Sequence, residues 1–316
     1  MNKKNFSKFL LTCMVVVAAL GAFAQQKLTY EYVVRNGEPL KMDVYVPTVQ
    51  DAHKPCLIFA FGGGFVSGSR NDTSQVNPMV RWAEKHGFVL VALDYRLGLK
   101  GVENFTIASG IQKFRNAIDM AAEDMLSCTD YILKNLLNTP QFTINPQHIV
   151  IMGSSAGAIT ALQADYMLGN RFGVAQALPS DFRYAGVMSF AGAIFSDKGS
   201  VKYRVQPPAP TLFCHGTEDK LVFYKKIQIF NIGLFGSNTL ARRFEKFNYP
   251  YIIRRYEGVA HEAAAAYVRD TLAINEFIDD YVFKGRKLQQ DITIQDPDIP
   301  YFSWARYKVR DLKRVK

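Results

Sequence analysis

Ile149-Val150-Ile151-Met152-Gly153-Ser154-Ser155-Ala156-Gly157-Ala158 runs from four apolar residues through a Gly-x-Ser-x-Gly turn into an alanine-rich stretch. A short apolar run bounded by a turn reads as a buried strand, and the segment after it reads as a helix. A strand that passes straight into a helix forces the turn residue into strained backbone angles and leaves its side chain exposed. Small neighbours are then required. Gly153 and Gly157 stand where a Cβ would collide with the next strand or helix, and Ala156 keeps its own amide accessible. Ser155, held in this way, can attack a carbonyl if a neighbour takes its proton. A pattern this loose also arises by chance as a flexible turn, and Ser154 is a rival nucleophile. The strand before and the helix after are what favour chemistry at Ser155.

Working outward, Cys56 to Phe61, Phe88 to Leu93 and Pro210 to Cys214 are further apolar runs, with helical patterns at Met79 to His86 and about Ile111 to Leu137. Ahead of them, Leu28 to Val34 and Leu40 to Val46 alternate apolar and polar residues around Asn36-Gly37, which is a hairpin signal. An antiparallel opening followed by buried strands alternating with helices predicts an α/β fold. Its central sheet is mostly parallel, with an antiparallel N-terminal hairpin and helices on both faces. Functional residues of such folds collect at the carboxyl ends of the strands.

The candidate chemistry is found there. After the Cys56 to Phe61 run comes Gly62-Gly63-Gly64-Phe65-Val66-Ser67-Gly68-Ser69. Three consecutive glycines are unfavourable unless the backbone itself must approach something closely. Backbone N–H groups gathered to stabilise a developing oxyanion are one reason, and a plain turn or a phosphate cradle are the others. No Gly-Lys-Ser/Thr follows, so the phosphate reading is weak. If Ser155 is a nucleophile, its acid and base follow in the order acid, then histidine. His215-Gly216-Thr217-Glu218-Asp219 follows one strand, and Gly258-Val259-Ala260-His261-Glu262 follows another at Tyr251 to Tyr256. Asp219 and His261 therefore have the right order and position. His86 falls in a helix, His148 at the start of a strand, and His215 precedes the acid in a structural role.

The whole chain has 316 residues, 48% hydrophobic and 13% aromatic, enough for one sizeable core. Lys3, Lys4 and Lys8 precede an apolar run from Phe9 to Phe23 that ends in Ala22-Phe23-Ala24, so residues 1–24 read as a secretory signal peptide. The net charge of +10 becomes +7 once those three lysines are removed. Much of the surplus sits in Arg306, Lys308, Arg310, Lys313, Arg314 and Lys316, a basic extension taken to span residues 284–316 after a catalytic domain of 25–283. Nucleic acid is not an expected partner of an exported protein, and no stable membrane span is expected after cleavage. Cys56, Cys128 and Cys214 read as buried thiols, with one disulfide open to them in an oxidising compartment.

Taken together, the Gly-Gly-Gly-Phe run, Asp94-Tyr95-Arg96-Leu97 after the next strand, Gly153 to Gly157, His215 to Asp219 and Ala260-His261 resemble the α/β-hydrolase superfamily. Within it they are most similar to the esterase/lipase and carboxylesterase groups. The resemblance extends from about Leu40 to a helix ending near Phe283. It implies Ser155 as nucleophile, His261 as general base and acid, Asp219 as the group that orients the imidazole, and the amides of Gly63, Gly64 and Ala156 as oxyanion donors. It implies no cofactor and no metal. Phe61 stands where the smaller esterases carry His, which puts support of the glycine loop in question, and Ser154 stands where many relatives carry Glu or Asp.

The implied activity is hydrolysis of small-molecule or polysaccharide-borne esters through an acyl-enzyme by an exported, periplasmic or secreted protein. The missing apolar lid points to short acyl groups, and resemblance adds acetyl and feruloyl esters of polysaccharides. Phe65, the loop Tyr224 to Phe235 and the segment Met167 to Phe182 are candidate pocket walls. A peptidase of the same superfamily and a non-catalytic hydrolase-fold binding protein are the alternatives.

Overall fold

The Ile149 run lies at the centre of a nine-stranded sheet. The structure is a computed structural model and describes residues 25–49, 53–102 and 107–295. In chain order its strands are β1 (Gln26–Arg35), β2 (Glu38–Val46), β3 (Lys54–Ala60), β4 (Val89–Leu93), β5 (Ile144–Ser154), β6 (Gly186–Phe190), β7 (Ala193–Ser196), β8 (Thr211–Gly216), β9 (Lys226–Ile229), β10 (Ile232–Gly236), β11 (Tyr251–Tyr256) and β12 (Gln289–Ile294). Between them run α1 (Thr73–His86), α2 (Ile107–Asn135), α3 (Ala156–Asn170), α4 (Ser237–Lys246) and α5 (Thr271–Phe277), the last continuing into a π-helical turn, Ile278–Phe283.

The large sheet has the order β1-β2-β4-β3-β5-β6-β8-β11-β12. From β4 to β12 every pairing is parallel, while β1 with β2 and β2 with β4 are antiparallel. Asn36 (φ 52°) and Gly37 (φ 83°) make the β1–β2 turn, where positive φ at both positions matches the twist of the flanking strands. Leu57, Ile58, Leu90, Val91 and Ile151 are fully buried, as continuous apolar strands covered on both faces must be. Every residue of α3 is buried, so the helix that follows Ser155 is fixed by packing on all sides. The expected architecture is therefore present.

Five strands were not legible in advance: β6, β7, β9, β10 and β12. The last corrects a boundary. β12 lies in the stretch read as a basic extension, yet it pairs in parallel with β11 from Tyr251↔Gln289 to Tyr256↔Ile294 and closes the edge of the sheet. The folded domain thus reaches Ile294 rather than Phe283. The basic cluster from Arg306 onward and the stretch 1–24, read as a signal peptide, lie outside the described residues. Among the described residues no helix is long and apolar enough to cross a membrane. Cys56, Cys128 and Cys214 are separate, buried thiols, each pushed up by burial from the usual thiol range.

Candidate active site

Ser155 sits between β5 and α3 with φ 53° and ψ −117°, a conformation that L-residues rarely adopt. Two hydrogen bonds hold it there: its N–H donates to the carbonyl of Phe190 (2.8 Å), and its own carbonyl accepts from Ile159 (3.0 Å). The glycines beside it are required by contact. A Cβ on Gly153 would lie 2.2 Å from the Gly157 carbonyl, and one on Gly157 would lie 2.1 Å from the carbonyl oxygen of Ala60. Ser154 is not a rival, because it is buried and its hydroxyl donates to the carbonyl of Ala264 (2.8 Å).

The three residues expected to act together converge. Ser155 Oγ lies 2.8 Å from His261 Nε2, and His261 Nδ1 lies 2.7 Å from Asp219 Oδ2. Burial alone would push the carboxyl of Asp219 up, but hydrogen bonds from His215 and His261 outweigh it and hold the group well below the usual carboxylate range. Its other oxygen, Oδ1, accepts from the amides of Leu221 (2.9 Å) and Val222 (3.0 Å). An ionised carboxylate only accepts, so Nδ1 of His261 carries the proton and Nε2 is left to accept from the Ser155 hydroxyl.

His215 holds the same carboxylate, from the end of β8. Its Nε2 lies 3.2 Å from Asp219 Oδ2 and 3.0 Å from the carbonyl of Val222, and its Nδ1 lies 2.8 Å from Ser237 Oγ. Since both neighbours of Nε2 are acceptors, that nitrogen is the protonated one, and Ser237 donates to Nδ1.

The glycine loop faces this group across a cavity of about 610 Å³, lined by Gly63, Gly64, Ser155, Ala156, His261 and Glu262 among others. Gly63 (φ 140°) admits no side chain, since a Cβ would fall 2.0 Å from the carbonyl oxygen of Ser67. The amide of Gly62 is occupied by Gln75 Oε1 (2.7 Å), whereas those of Gly63 and Gly64 enter none of the hydrogen bonds found among the described residues. Ala156 supplies the first amide of α3, one of the four that a helix leaves unpaired. These three amides are the ones the sequence singled out.

Phe61 answers the question its position raised. Its ring stacks on Tyr95 (centroids 4.4 Å apart, 19° between planes), and the Tyr95 hydroxyl donates to the Phe61 carbonyl (2.7 Å). On its other side a Cβ on Gly68 would lie 2.4 Å from the ring. The loop is therefore braced by packing where a histidine is expected. Asp94 adds a tie by accepting from the amide of Arg70 (2.9 Å).

Sequence reasoning missed Gln75, which grips Gly62 from α1, and the second histidine on Asp219. It also missed Glu262, which is buried against the cavity with neither carboxylate oxygen hydrogen-bonded among the described residues. Of the candidate pocket walls, Phe65 lines the cavity, while Met167 and Phe172 line a different one of about 360 Å³.

The mostly parallel sheet that carries this serine, histidine and acid has its counterpart in solved structures. The native esterase Est2 of Thermogutta terrifontis superposes with a TM-score of 0.58 over 81% of this chain and 92% of its own, at 20% identity. Its butyrate-bound form gives the same score over 81% and 94%. The chain has the α/β-hydrolase fold. To this α/β-hydrolase fold the family model BD-FAE adds a match over residues 42–194, from within β2 to within β7, with the glycine loop and Ser155 inside it. A non-reducing polyketide synthase of Preussia isomera, Preu6, is 28% identical over 158 residues, 48% of this chain, and the chain corresponds to only 6% of that synthase's length.

Proposed function

We propose that the protein is a serine esterase that hydrolyses carboxylic esters through an acyl-enzyme. The observation that carries this reading is the continuous line from Ser155 Oγ through His261 to Asp219 Oδ2, at 2.8 and 2.7 Å, in a cavity that also presents the amides of Gly63, Gly64 and Ala156. In the first step Ser155 attacks the ester carbonyl while His261 Nε2 takes its proton. Asp219 keeps the imidazole in the tautomer that can accept, and stabilises the imidazolium that forms. The carbonyl oxygen gains negative charge in place, where the three amides stabilise it without reorganising; each such donor contributes roughly 2.7 to 4 kcal/mol to the lowering of the barrier. His261 returns the proton to the departing alcohol, and water then repeats the sequence on the acyl group.

The acyl groups are small ones, acetyl to butyryl, carried on a small alcohol or on a polysaccharide. Est2 of Thermogutta terrifontis, which shares the fold, has butyrate-bound and propionate-bound structures and is phosphorylated by paraoxon, in keeping with an acyl-transferring hydrolase of short esters. The signal-peptide pattern read in residues 1–24 supports export, which would put this chemistry outside the cytoplasm. The test is hydrolysis of p-nitrophenyl acetate and butyrate by the protein lacking its leader, beside Ser155→Ala. Turnover by the native protein and a loss of at least 10³-fold in the variant are expected. A variant that keeps full activity removes the assignment.

A further inference from the structure

The strands β9 and β10 form a hairpin whose two faces differ in chemistry. In the observed register Leu234 stands opposite Ile227 and Ile232 opposite Ile229. Directly paired residues share a face, and residues two apart on a strand share it as well. Ile227, Ile229, Ile232 and Leu234 therefore make one aliphatic face, with Lys226, Gln228, Gly233 and the buried Phe235 on the other. β10 also pairs with β7, placing Phe195 opposite Leu234 and extending the face by one ring.

The inner end of this face, Leu234 and Phe195, is buried, while its outer end is left open among the described residues. Ile227, Ile229 and Ile232 are 46%, 49% and 39% exposed, although each is a residue type that folding ordinarily buries. Together with Ile111 and Phe114 of α2 they wall an apolar groove of about 220 Å³. A cavity of about 150 Å³ takes a benzene ring, so the groove holds an aryl group or a chain of several methylenes.

The groove adjoins the cavity at Ser155, for Phe114 and Leu221 line both. An apolar limb of an ester seated at Ser155 that extends past these two side chains meets the face of the hairpin. We infer that the face of the β9–β10 hairpin is a subsite for the apolar limb of the ester, aryl or medium-length alkyl, so that specificity extends beyond the small acyl groups the main cavity takes. This rests on the esterase reading above. The missing lid suggested short chains only, but the hairpin, in a stretch the sequence offered as a pocket wall, supplies apolar surface for a longer limb.

The test uses Ile227→Ser with Ile232→Ser in the protein lacking its leader. Both side chains are already part-exposed, so the fold does not depend on them, and circular dichroism with a melting curve checks this. Two ester series are compared at fixed temperature: ethyl acetate with ethyl octanoate varies the acyl limb, and ethyl acetate with octyl acetate varies the alcohol limb. In one series the ratio of kcat/KM for the long ester over ethyl acetate falls about tenfold in the double variant, and that series names the limb that lies in the groove. Ratios that match the native protein in both series overturn the subsite and leave the esterase reading standing. A native protein that turns over no ester removes both.

Discussion

His215 and His261 reach the same oxygen of Asp219, at 3.2 and 2.7 Å, from the ends of two neighbouring parallel strands. In the proposed mechanism one imidazole carries the proton and the other does not. His215 is fully buried, with Ser237 behind it, so it acts as a fixed donor that aims the carboxylate at His261.

Removing that donor separates the two roles. His215→Phe keeps volume and burial but leaves Oδ2 with one partner, and a hydrogen bond to a charged group contributes about 1.5 to 3 kcal/mol. The expected result is a stability loss of that order in urea, with kcat lowered about tenfold and KM little changed, whereas Asp219→Asn lowers kcat by about 10⁴-fold because the imidazole takes the wrong tautomer. Steady-state kinetics of the two variants side by side check this. Equal losses would show that His215 does more than aim the acid.

Asp165 gives a pH dependence unrelated to catalysis. It is buried in α3, accepts from the amide of Ala209 (3.3 Å), and burial pushes its carboxyl up to about 7. In the unfolded chain the same group loses its proton near 3.9, so between about 4 and 7 the folded state binds more protons and stability falls as pH rises. The slope is at most about 1.4 kcal/mol per pH unit, and it flattens above 7. Asp165→Asn removes this dependence. Urea unfolding at pH 5 and pH 8 is expected to show the variant gaining on the native protein between the two; a constant difference contradicts the assignment.

Glu262 is another buried acid, next to His261 in sequence, and neither of its side-chain oxygens has a hydrogen-bond partner among the described residues. Burying polar oxygens without partners is destabilising, and replacing them with an apolar group of similar length relieves the penalty. Glu262→Met is expected to raise Tm by several degrees. The cavity it lines includes Asp72 as a second acid and no lysine or arginine, so esters that carry a carboxylate, such as ethyl succinate, should be poorer substrates than ethyl butyrate. A lower Tm in the variant would mean that the carboxylate has a partner that stabilises it.

The parts of this protein that were legible in its sequence are those where sterics leave one solution. Gly153, Gly157 and Gly63 are glycines because a Cβ at each would lie within 2.2 Å of a backbone atom, and such demands leave a mark at fixed spacing around Ser155 and its oxyanion loop. Asp219 and His261 follow from the order of strand ends. Gln75 carries no mark of its own, since it is an ordinary helix residue until the fold brings Gly62 to it. The hairpin was read as a loop because each strand is four or five residues long and the turn between them, Phe230-Asn231, lacks the glycine that announces most two-residue turns. β12 was hidden by its polarity: at the sheet edge only Gln290, Ile292 and Ile294 are partly covered.

The central claim is that Ser155 is a nucleophile activated by His261. Its most direct test is peptide mapping by mass spectrometry after treatment with a fluorophosphonate probe, which forms a stable adduct only with an activated serine. The account predicts one adduct, on the peptide that contains Ser155, lost in Ser155→Ala and strongly slowed in His261→Ala. A folded protein that takes up no probe, or takes it up at Ser154 or elsewhere, would contradict it.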